Sequence, residues 1–84
     1  MTRYTVLIEK GASSYGAYVP DLPGCVAAGE TREEVEQLIR EAIAFHLEAL
    51  QRDGDLIPEP TVEPMAVEID LSRLTPTLSE SGAS

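Results

Sequence analysis

The sequence predicts an α+β protein with the element order β-β-β-α-β, on three observations. Residues 1–29 hold three short runs with strand character, one long amphipathic segment follows a capping pattern, and a further alternating run comes after a proline-rich stretch. A helix between the third and fourth strands is long enough for a crossover. The expected sheet order is therefore 3-2-1-4, with the fourth strand parallel to the first and the helix on one face.

Each element has its own signal. Residues 3–9 alternate Tyr4, Val6 and Ile8 against Thr5, Leu7 and Glu9, which reads as the first strand. Gly11-Ala12-Ser13-Ser14 supplies turn chemistry, and residues 15–19 read as the second strand of an antiparallel hairpin. Pro20-Asp21-Leu22-Pro23-Gly24 makes a sharp corner, since the prolines lack an amide donor and Gly24 tolerates positive φ. Residues 25–28 form the third strand. Thr31-Arg32-Glu33-Glu34 then fits a capping box that opens a helix. Val35, Leu38, Ile39, Ala42, Ile43, His46, Ala49 and Leu50 recur at helical spacing as one buried face, and Gly54 stops the helix near Asp53. Phe45 and Leu47 fall outside this stripe. Pro58, Pro60 and Pro64 exclude a continuing helix, and Met65, Val67, Ile69 and Leu71 alternate with Ala66, Glu68 and Asp70 as the fourth strand. The folded domain is expected to span residues 1–71, with a polar, disordered tail over 72–84.

With 84 residues and 43% hydrophobic content, the chain supports one core. It has no apolar run of membrane-spanning length, its first residues lead straight into strand alternation, and its one cysteine, Cys25, has no internal partner. A reducing cytoplasmic setting is the expectation. The formal net charge is −9, which disfavours autonomous binding to a phosphate backbone and favours a basic partner. The charge is uneven. Residues 1–29 are neutral, residues 30–55 carry eight acids against three arginines, and the remainder lies beyond. One helix covers one sheet face, so the opposite face, with Leu7, needs a partner; Phe45 and Leu47 widen the helix's apolar arc. These three residues are the candidate interface of a homo-oligomer, a dimer or dimer of dimers.

The segment Tyr18-Val19-Pro20-Asp21-Leu22-Pro23-Gly24-Cys25, followed by Ala28-Gly29-Glu30-Thr31 and Glu41-Ala42-Ile43-Ala44-Phe45-His46-Leu47, resembles the HicB antitoxin family. The likeness extends over residues 3 to about 71 and includes Asp53-Gly54 and Ile57-Pro58-Glu59-Pro60. It implies a partial ribonuclease-H-like β-β-β-α-β unit. It also implies a protein that inactivates a small basic HicA-type, RNA-cleaving toxin by steric and electrostatic masking. Complete members add a C-terminal DNA-binding module; residues after 71 show no helical period and only Arg73 as a base, so that role is not expected here. Glu33, Glu36, Glu41 and Glu48 are the candidate toxin-facing residues.

Two alternatives remain at the level of sequence: a solitary HicB-like oligomeric domain, and a metal-dependent nuclease. For the nuclease, Glu9, Asp21 and Asp70 are the strand-associated carboxylates, but nothing in the pattern gathers them on one patch. His46 lies on the apolar stripe with no nucleophile spaced to pair with it, and Cys25 reads as a packing residue. No enzymatic activity, cofactor or metal is expected.

Overall fold

The computed structural model describes residues 1–74. Three strands, β1 (Leu7–Lys10), β2 (Tyr15–Tyr18) and β3 (Val26–Gly29), form an antiparallel meander in the order β1-β2-β3, and a helix, α1 (Arg32–Arg52), packs on one face. Register sorts the side chains. Ile8, Ala17 and Ala27 line up across the three strands on the face that carries the helix, and Leu7, Tyr18 and Val26 line up on the opposite face. Alanine at the two central positions lets the helix lie close over β2 and β3. The core is Ala17, Val19, Leu22, Cys25, Val35 and Ile39.

The proline-rich corner between β2 and β3 is two consecutive turns. The Leu22 amide donates to the Val19 carbonyl and the Cys25 amide to the Leu22 carbonyl, both at 3.0 Å, with Pro20 and Pro23 each in the second position of its turn. Gly24, at φ 85°, takes the left-handed position that a type II turn requires after proline. Leu22 sits between the two turns and is thrust into the core with no exposed surface.

Both helix ends match their sequence signals. The Glu34 amide donates to the Thr31 hydroxyl at 3.0 Å, and the Glu34 carboxylate reaches back to the Glu30 amide at 2.7 Å. At the other end Gly54, at φ 76°, donates to the Gln51 carbonyl and Asp55 to that of Leu50, a Schellman closure. The buried stripe differs by one step from the expected one. Leu47 packs against the core four residues beyond Ile43, whereas Leu38 sits on the flank of the helix and Phe45 is 68% exposed.

The fourth strand is absent from the described residues, and the sheet order 3-2-1-4 is corrected to three strands. The alternation at 65–71 is real, but a strand also needs an edge to pair with. The preceding residues are held as a strap against residues 4–5 and the corner between β2 and β3. The Tyr4 hydroxyl donates to the Pro58 carbonyl, and the Thr5 hydroxyl to the Val62 carbonyl at 2.8 Å. Met65, Val67, Ile69 and Leu71 are all exposed. Beyond them Leu71–Arg73 makes a single 3-10 turn capped by Asp70, whose carboxylate accepts from the Ser72 amide and hydroxyl. The tail expected over 72–84 falls, from residue 75 on, outside the described residues.

Candidate functional site

Three features stand out on the exposed surface. The first is the outer face of α1. Glu33, Glu41 and Glu48 are exposed there, with the Gln37 amide donating to Glu41 at 2.9 Å. Glu36 is set apart from them: it is partly buried, pairs with Arg32 at 2.8 Å and faces the first strand. That hydrogen bond, with the Glu36 charge, pushes the Arg32 guanidinium further toward its protonated form. Four glutamates expected to act together thus divide into three on the outer face and one on the flank.

The second surface is apolar. Leu7, Tyr18 and Val26 form an exposed row across the open sheet face, and Leu38 and Phe45, seven residues apart, share the helix flank away from β1. Leu7 and Phe45 lie on exposed surface, as an interface role requires, whereas Leu47 is occupied by the core.

The third feature is a groove. Because α1 lies over β2 and β3 but not over β1, the inward side chains of the first strand are covered from one side only. A groove of about 390 Å³ opens there, lined by Tyr4, Val6 and Ile8 and by Glu36, Ile39, Arg40 and Ile43 of the helix. Sequence reasoning missed it, because the expected fourth strand would have filled that side.

The nuclease candidates do not assemble. Glu9 lies on β1, Asp70 caps the short 3-10 turn, and Asp21 anchors the strap. Among the described residues no three His, Cys, Asp or Glu side chains come together to hold a metal ion. Cys25 is buried, which pushes its thiol up, away from the reactive thiolate. No described helix is long and apolar enough to cross a membrane.

Asp21 accepts three hydrogen bonds from the strap: the Thr61 hydroxyl at 2.7 Å, the Thr61 amide at 3.0 Å and the Val62 amide at 3.1 Å. The Thr61 hydroxyl, reinforced by the two amides against partial desolvation, holds the carboxyl below its ordinary range. The charged form is favoured in the fold, so the anchor is complete at neutral pH and is lost only as pH falls through the lowered pKa. Asp21→Ala is expected to abolish amide-exchange protection at Thr61 and Val62 at pH 7 while leaving that of Val35 and Ile39 intact. Unchanged protection at Thr61 and Val62 would show that the strap is held by Tyr4 and Thr5 alone.

Fold and composition define a small acidic α+β domain with one charged and one apolar exposed face. The chain belongs to the HicB-like antitoxin family: the model described as "HicB_like antitoxin of bacterial toxin-antitoxin system" matches residues 4–70. The UPF0150 protein of Thermoplasma acidophilum is 38% identical over 66 residues, covering 77% of this chain and 96% of the archaeal one. An uncharacterized 14.9 kDa protein from the rep-hol intergenic region of Haemophilus phage HP1 is 41% identical over 56 residues, covering 67% of this chain but 42% of the phage protein. A chain of the solved structure described as "HicA3 and HicB3 toxin-antitoxin complex" superposes with a TM-score of 0.62 at 36% identity, covering 73% of this chain and 71% of that one.

Proposed function

We propose that this chain is an antitoxin that binds a small basic HicA-type toxin and masks its RNA-contacting surface without catalysis of its own. Membership of the HicB-like antitoxin family carries the reading, and the likeness to a chain of a HicA3 and HicB3 complex supports it. The electrostatics agree. Residues 30–55 hold a net −5, and carboxylates presented where phosphates would sit steer a basic partner toward this face. The chain acts in the cytoplasm as a homo-oligomer. The three-stranded meander and helix belong, on this reading, to a partial ribonuclease-H-like unit.

The test is co-expression with a HicA-type toxin, by preference one encoded in the adjacent reading frame. Growth rescue and a co-purifying complex whose association slows as salt rises are the expected results. No rescue and no complex would leave a solitary oligomeric domain.

A further inference from the structure

We propose that two copies of this chain complete each other's sheet by exchanging residues 65–71. Each arm lies along the free edge of the other copy's β1, with its apolar side chains in the groove between β1 and α1. The proposal rests on the self-association reading above and requires no toxin.

The donor and the acceptor are both unsatisfied within one protomer. In an extended chain Met65, Val67, Ile69 and Leu71 share one face, and every one of them is exposed; Val67 and Ile69 are 61% and 63% exposed. A four-residue apolar stripe on an unpaired arm has nothing to bury it in a single copy. The acceptor is the outer edge of β1, which no described strand pairs. An edge left with free amides and carbonyls is a template for another chain. Beside it the groove offers Val6, Ile8, Ile39 and Ile43 as an apolar floor. β1 offers four residues of edge, about 13 Å at about 3.3 Å each, which the central arm residues 67–70 match in length.

Charge fits the pairing. The arm carries Glu68 and Asp70, whereas residues 3–10 carry Arg3 and Lys10 against Glu9, and Arg40 stands on the groove wall. A second copy can supply this acidic arm while receiving one in return, which closes the assembly as a dimer.

The tether explains why exchange is favoured over folding back. Val62 is held between the Thr5 hydroxyl and Asp21, which fixes where the arm departs. Beyond Val62 the connector is only Glu63 and Pro64, and the fixed φ of Pro64 favours an arm that reaches outward over one that doubles back onto its own β1.

The experiment is light scattering of the full chain at tens of micromolar, beside a Val67→Asp/Ile69→Asp variant whose two sites are exposed in the protomer. Wild-type protein is expected at twice the chain mass, and the variant at the single-chain mass with its helical circular dichroism retained. Should the variant fail to fold, isotope-filtered NMR on an equal mixture of labelled and unlabelled wild-type chains decides. Contacts between the methyl groups of Val67 or Ile69 and those of Val6 or Ile8 must then be intermolecular. A monomeric wild type would overturn both self-association and exchange. An oligomer that survives in the folded variant, or whose arm methyls touch only their own chain, would overturn exchange and leave self-association standing.

Discussion

Leu22→Ala is expected to lower stability by about 3 kcal/mol, more than a change at any exposed apolar position of the sheet or helix. The side chain is fully buried between two turns whose hydrogen bonds run through the backbone, so alanine keeps the corner and removes only the plug. Collapse into the vacancy is restricted, because Pro20, Pro23 and the left-handed Gly24 fix the backbone on either side. A domain of this size has a total stability of roughly 4–10 kcal/mol. The loss is therefore a large fraction of the whole, equivalent to a fall in Tm of about 12–24 °C. Thermal melting followed by circular dichroism measures it, with Val26→Ala as the exposed comparison, expected to stay within about 0.5 kcal/mol of wild type. A Tm for Leu22→Ala within 3 °C of wild type would mean that the corner is not part of the cooperative core.

The same corner shows what a sequence reader can and cannot see. Two prolines and a glycine announce a sharp change of direction, because each restricts or permits particular backbone angles whatever surrounds it. The capping box and Gly54 were legible for the same reason: their chemistry is local. The roles of Leu22 and Asp21 were not, since burial and a hydrogen bond across 40 residues depend on how distant segments meet. Asp21 appeared as a possible metal ligand and proves to be the anchor of the strap. Leu47, just outside the stripe traced through Leu38, packs against the core while Leu38 lies on the flank, because the rotation of the helix over β2 and β3 is set by packing. For residues 65–71 the alternation was legible, but alternation specifies a face and does not supply an edge. On the surface, the count of glutamates was plain from the sequence. Their division into an outer set and the flanking Glu36 needed the groove.

That division sets the second large effect. Reversing Glu33, Glu41 and Glu48 together to lysine is expected to slow association with a HicA-type toxin by about 10- to 100-fold, with a much smaller change in the dissociation rate. The three are exposed on the outer face of α1, away from the core stripe, so the fold is retained and thermal melting serves as the control. The net charge of the chain would change from −9 to −3, and the field that draws a basic partner would fall most steeply over the helix itself. Glu36→Lys is the informative contrast. Its carboxylate is partly buried, pairs with Arg32 and lines the groove beside β1, so reversal there is expected to disturb self-association more than toxin encounter. Stopped-flow mixing at two ionic strengths separates the outcomes. Wild-type association should slow as salt rises, because screening shortens the reach of exposed charges to about 10 Å at 0.1 M. The triple variant should be slow at both. A triple variant that associates at the wild-type rate in low salt would move the toxin-binding surface off the helix and onto the apolar row of Leu7, Tyr18 and Val26.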